Sequence, residues 1–117
     1  MEISGYVQMG MLLDFYGRLL TERQAKACRL YFEENLSLGE IAAELCISRQ
    51  AVHDTLRRAH QTLLGYEERL RLVARFSEQQ LALRHLRELV LQGQTAAALP
   101  LLEKLIAEEE SYAQESR

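Results

Sequence analysis

Two helix-start signals, Ser37 and Ser48, sit close together and constrain this chain more than any other feature. Ser37-Leu38-Gly39-Glu40 has the form of a capping box, in which serine and glutamate each satisfy a backbone N–H that the first helical turn leaves orphaned. It opens a short helix, Leu38 to Leu45, whose inward residues are Leu38, Ile41, Ala42 and Leu45. After Cys46 and Ile47, Ser48 caps a second helix that begins at Arg49 and turns Ala51, Val52, Leu56, Ala59 and Leu63 inward. Two capped helices joined by so short a connection form a helix-turn-helix. Ala42 is small enough to let the helices approach closely, and Ile41, Leu45, Ile47 and Val52 set their crossing. Such a unit offers the outward N-terminal residues of its second helix to a nucleic-acid groove. Here these are Arg49, Gln50, His53 and Arg57, with Asp54 among them and Arg58 near the backbone. Arginine can read guanine, glutamine can read adenine, and Ser48 with the helix N-terminal amides suits a phosphate. The candidate nucleic-acid-binding residues are therefore Ser48, Arg49, Gln50, His53, Arg57 and Arg58. A charged helix face is commonly no more than a solvated surface. The caps, the small residue and the outward Arg/Gln set together favour the binding role.

The rest of the chain reads as helix. Residues 1–9 are expected to be an N-terminal tail. A first helix then runs from Met11 to about Leu20, with Met11, Leu12, Phe15 and Leu19 on one face. Thr21 caps a second helix, Glu22 to about Glu34, with Ala25, Cys28 and Phe32 inside, Leu30 and Tyr31 broadening the stripe, and Asn35 closing it. The helix that starts at Arg49 is expected to loosen near Leu64-Gly65. A longer one from Tyr66 to about Leu91 carries a seam of Leu72, Phe76, Leu83, Leu86 and Val90, interrupted by Gln79. That seam can pack on the same chain or pair two subunits. Gly93 suits a helix C-terminus. The last segment, Thr95 to about Tyr112, folds back as an αα-hairpin with Ala98, Leu101, Leu102, Leu105 and Ile106 on one side. Pro100 should kink it or delay its start, and fraying is expected from Glu108 on. The chain thus divides into a tail at 1–9, a helix-turn-helix domain at 10–65 and a C-terminal helical extension at 66–117, which is suited to dimerisation.

Composition narrows the function. Among 117 residues there is one proline, and the abundance of Leu, Ala, Glu, Arg and Gln favours helix over strand, so the fold class is all-α. The net charge of −3 argues against indiscriminate coating of nucleic acid, yet the charge is segregated. Arg49, Arg57, Arg58, Arg69, Arg71 and Arg75 fall in the centre, while Glu108, Glu109, Glu110 and Glu115 crowd the end. Cys28 and Cys46 lie in apolar patterns without metal-ligand spacing and are expected to be buried free thiols. His60 and His85 lack ligand-spaced companions. The acidic pairs Glu33-Glu34 and Glu67-Glu68 point different ways around their helices. Neither a phosphate-binding glycine loop nor a nucleophile elbow is present, so no catalysis, metal or cofactor is expected. Phe15, Tyr16, Tyr31, Phe32 and Phe76 are expected in the core. With no signal-peptide pattern at Met1 to Gly10 and no apolar run approaching the ~20 residues that span a bilayer, a cytoplasmic protein is expected.

Leu20-Thr21-Glu22-Arg23-Gln24, Leu30-Tyr31-Phe32, Leu36-Ser37-Leu38-Gly39-Glu40-Ile41-Ala42 and Ile47-Ser48-Arg49-Gln50-Ala51-Val52 together resemble region 4 of bacterial sigma-70-type factors, which recognises the −35 promoter element. With Leu13-Asp14-Phe15-Tyr16 upstream and Tyr66-Glu67-Glu68-Arg69-Leu70 downstream, the chain more closely resembles the YlxM family, small proteins encoded beside the signal recognition particle GTPase. The likeness covers residues from about 10 to 78. It implies a sigma-region-4-like helix-turn-helix bundle, which the helical pattern read above continues with a long helix and a C-terminal αα-hairpin. It also implies a homodimer and a regulatory role in the signal recognition particle pathway. Two departures stand out. Cys46 takes the place of a glycine common in such turns, and the extension after about Gln80 is longer than the family leads one to expect. The function expected is a nucleic-acid-binding regulator, with DNA or RNA as partner. The alternative is a protein-interaction modulator of the signal recognition particle GTPase that reads no nucleic acid directly.

Overall fold

The computed structural model describes residues 3–115, with side chains from Gln8 onward. Among these residues the regular structure is helical throughout: α1 (Ile3–Tyr16), α2 (Glu22–Cys28), α3 (Leu38–Leu45), α4 (Arg49–Leu70), α5 (Leu72–Leu91) and α6 (Thr95–Glu115). A 3-10 turn, Gly17–Leu19, follows α1, and a π turn, Arg29–Glu33, extends α2. The chain forms two compact units, one ending at Val73 and the other starting at Ala74.

The caps of the first unit follow from its sequence. Thr21 accepts from the Gln24 N–H while the Gln24 side chain accepts from Thr21, a complete capping box beyond the single cap expected. Ser37 and Glu40 form the second box at 3.1 Å in both directions. Ser48 Oγ accepts from the Ala51 N–H at 3.0 Å. Asn35 closes the π turn with φ 57°, and the Leu36 N–H reaches back to the Leu30 carbonyl at 3.0 Å. Cys46 ends α3 in the left-handed conformation (φ 56°, ψ 43°) and the Ile47 N–H donates to the Ala42 carbonyl, so the turn keeps its glycine-type geometry without glycine.

Two apolar clusters fill this unit. Met9, Leu12 and Tyr16 of α1 meet Cys28, Ala59 and Leu63, while Leu30, Ile41, Ala42 and Val52 lock the helix-turn-helix, and Leu56 packs on both. Burial pushes the Cys28 thiol up to about 11, which keeps it protonated and inert at neutral pH.

Several boundaries and faces differ from expectation. Residues 3–9, assigned to a tail, are the first turns of α1, and Met1 and Glu2 lie outside the described residues. Met9, Leu12 and Tyr16, spaced i, i+3 and i+7, form the face that packs against Cys28, Ala59 and Leu63, which leaves Phe15 and Leu19 exposed. In α2 Ala27 and Cys28 are buried, and the π turn that follows offsets the register so that Leu30 is buried and Phe32 only half-buried. Cys46, at the turn, is exposed.

The helix break expected at Leu64-Gly65 falls instead at Arg71, which takes φ 54°. A glycine within a helix is only a weak breaker, whereas specific groups hold the chain at Arg71. The Tyr16 hydroxyl donates to Glu67 Oε1 at 2.6 Å and accepts from the Leu72 N–H at 3.0 Å. The same carboxylate oxygen accepts from the Val73 N–H at 2.9 Å. A buried tyrosine and a carboxylate thus cap α5 from α1 and α4. Burial and the Glu67 carboxylate both raise the Tyr16 pKa above its ordinary value, so the phenol stays a donor.

In the second unit Gly93 (φ 72°) ends α5, with the Gln94 N–H donating to the Leu89 carbonyl. Helix α6 starts at Thr95 without delay and contains Pro100. It stays helical through Glu115, past the expected fraying, because Arg75 reaches Glu109 Oε1 at 3.3 Å and sits 3.3 Å from the centre of the Tyr112 ring. Ser116 and Arg117 lie outside the described residues. Phe76, expected in the core, is exposed.

Two stability measurements test these local structures. Tyr16→Phe removes the hydroxyl that joins Glu67 to Leu72 and should destabilise the protein by about 1–3 kcal/mol in urea unfolding, with the slope unchanged. Cys46→Gly relieves a side chain held at positive φ and should stabilise it by roughly 0.5–1 kcal/mol in the same assay.

Candidate nucleic-acid interface

Helix periodicity turns Gln50, His53, Arg57 and Arg58 away from the buried Val52, Ala59 and Leu63, while Arg49, one turn before Val52, lies on the edge of α4 nearer α3. All five are exposed, as is Ser48 ahead of them. The packing of α3 under α4 through Ile41, Ala42 and Val52 holds that face outward.

The six candidates are not equivalent. Ser48 spends its hydroxyl on the Ala51 N–H, so it shapes the start of α4 and leaves the amides before Ala51, which have no intrahelical partner, to meet an anion. Arg57 Nη2 stands 3.7 Å from Asp54 Oδ1, one helical turn back. Both side chains are about half exposed, and a pair of this kind is too weak to hold the guanidinium against a phosphate. Arg49 does not stand straight out from α4. Its guanidinium lies against Gly39 in the first turn of α3, within 3.3 Å of where a Cβ would be.

One feature escaped the sequence. Met9, Tyr31, Phe32, Leu38, His53, Leu56, Arg57 and His60 line a groove of about 400 Å3 beside the exposed face of α4. His53, Arg57 and His60 follow i, i+4, i+7 spacing, which could have put them on one edge. The aromatic wall depends on the π turn and could not be foreseen. Tyr31 and Phe32 meet edge to face at 4.9 Å there. Among the described residues no three His, Cys, Asp or Glu side chains gather within metal-binding range. No helix there is long and apolar enough to cross a membrane.

The sequence profile of a known family, described as "Putative helix-turn-helix protein, YlxM / p13 like" and designated UPF0122, matches residues 3–101. The chain belongs to that family. A UPF0122 protein of Halalkalibacterium halodurans is 45% identical over 100 residues, covering 85% of this chain and 92% of its own. One from Bacillus pumilus is 42% identical over 106 residues, 90% of this chain and 96% of the relative. One from Desulforamulus reducens is 57% identical over 72 residues, a stretch that spans 62% of each protein. The family likeness therefore extends beyond the span of about 10 to 78 recognised from motifs, through α5 and into α6. The segment after Gln80 is thus largely shared with relatives. Its helices carry no short motif, which is why the motifs stopped short of it.

Proposed function

We propose that this UPF0122 protein is a nucleic-acid-binding regulator that lays the start of α4 against its target. The observation carrying this reading is the orientation of α4: its capped N-terminus and the outward set Arg49, Gln50, His53, Arg57 and Arg58 stand free of the packed core. Arginine and histidine along one helix edge suit phosphates and base edges together. The setting we propose for it is the signal recognition particle pathway, the role that the resemblance to YlxM implies.

The experiment is binding to labelled duplex DNA from the protein's own operon and to signal recognition particle RNA, at two salt concentrations. The expected result is selective binding to one of them that weakens as salt rises. Arg49→Glu combined with Arg57→Glu should reduce that affinity at least about tenfold while circular dichroism stays unchanged. Unchanged affinity in the folded double variant, or no binding to either nucleic acid, overturns the reading. A change in the particle's GTPase rate without nucleic-acid binding favours the protein-modulator alternative.

The partner we propose in addition is a second copy of the chain. Within the second unit only Ala98 is buried among the described residues, while Phe76, Leu83 and Val90 of α5 and Leu99, Leu102 and Ile106 of α6 are exposed. Arg75 and Gln79 of α5 both reach Glu109 of α6, and the exposure of Phe76, Leu83 and Val90 leaves much of the expected seam uncovered. A helix pair must bury its apolar stripe against another element, and pairing two hairpins supplies one. Light scattering at micromolar concentration should give twice the chain mass, and Leu83→Glu with Leu102→Glu should give the single-chain mass. A monomeric unaltered protein rules dimerisation out.

A further inference from the structure

Gly39 stands in the first turn of α3, where alanine is the better helix former. Its backbone is not at positive φ, so no turn geometry calls for glycine. Space does. A Cβ on Gly39 would lie 2.9 Å from Arg49 Nη2, 3.0 Å from Nε and 3.3 Å from Cζ. The nitrogens are nearer than the carbon between them, so the Nε–Nη2 edge of the guanidinium is the part turned toward the glycine. Among the described residues no carboxylate pairs with Arg49.

We infer that Gly39 is a positioning residue. Its missing side chain lets Arg49 lie back across the start of α3, where its charge serves as a clamp on the nucleic-acid backbone and not as a reader of base edges. This rests on the nucleic-acid reading above and refines it.

Three observations meet in the assignment. Arg49 is the first residue of α4 and lies one turn before the buried Val52, on the edge of the helix that faces α3. The space over Gly39 lets it bridge onto α3, whose first turn and that of α4 both present the positive end of a helix. Glu40 in the same turn is engaged with the Ser37 N–H and forms no ion pair with Arg49, so the guanidinium keeps its charge for an outside anion such as a phosphate. With one edge occupied by α3, Arg49 is also poorly placed for a two-bond approach to guanine. Base reading is left to Gln50, His53 and Arg57, which no such contact diverts. Arg49 then contributes affinity that does not depend on sequence.

An alanine at Gly39 meets the movable end of a long side chain, so Gly39→Ala should fold normally and displace only Arg49. The test is a double-mutant cycle of Gly39→Ala and Arg49→Ala, with Arg49→Lys as the conservative variant. It is read as dissociation constant and salt dependence on whichever nucleic acid the unaltered protein binds, and on single-base variants of it. Gly39→Ala should weaken binding about threefold to tenfold on every base variant alike and lower the salt slope by about one phosphate. Arg49→Ala should do the same, and the double variant should be no weaker than Arg49→Ala alone. Arg49→Lys, which keeps the charge, should restore most of the affinity without changing base preference.

An additive double variant, an unchanged salt slope in Gly39→Ala, or a loss confined to particular base pairs overturns the assignment. If Gly39→Ala does not fold, Arg49→Ala and Arg49→Lys decide by the same slope and base-preference readouts. Failure of the unaltered protein to bind any nucleic acid removes the parent reading as well, which distinguishes the two failures.

Discussion

The Tyr16 hydroxyl stands where three helices meet. It donates to Glu67 near the end of α4 and accepts from the first amide of α5, while its ring is buried between α1 and α4. Glu67 completes the arrangement by accepting from Val73. A carboxylate facing exposed amides is favourable, and burial strengthens the interaction by excluding water. The position of α1, the length of α4 and the starting point of α5 therefore answer to one small polar cluster. Tyr66 stacks on Tyr16 at 6.0 Å between ring centres, which fixes the phenol that makes these bonds.

The exposed face of α4 is held by apolar packing of a different kind. Val52 and Ile41 are fully buried between α3 and α4, and Ala42 lets the helices close on each other. Ser48 defines where α4 begins, and the left-handed Cys46 sets the corner that precedes it. The side chains available to a ligand are consequently a product of two caps and one turn. The exposed residues of α4 need no support from one another, and the loose Asp54–Arg57 pair provides little.

Much of this was legible in the sequence. Ser37, Glu40, Ser48, Thr21, Asn35 and Gly93 act at the positions their chemistry announces, because caps are local and involve residues only a few apart. The inward set of α3 and α4 follows from period alone. What stayed hidden depends on residues distant in the chain. Tyr16 and Glu67 are 51 positions apart, and nothing near Arg71 signals that a helix ends there. Gly65 looked like the break and is not one, since no long-range contact exploits it. The π turn shifted the second helix by a fraction of a turn that apolar periodicity does not resolve. The six candidate binding residues were recognisable as exposed helix-start residues, but Arg49's retreat onto Gly39 required knowing how closely α3 and α4 approach.

Leu56 belongs to neither apolar cluster alone, since it packs against both. It lies one turn beyond Val52, one turn before Ala59 and two before Leu63, so α4 runs through the two clusters as a common wall. Loosening either cluster exposes part of the same side chain. The scaffold formed by α1 and the recognition corner formed by α3 thus lose order together. A sequence change in the α1 packing therefore reaches the exposed start of α4 by way of Leu56.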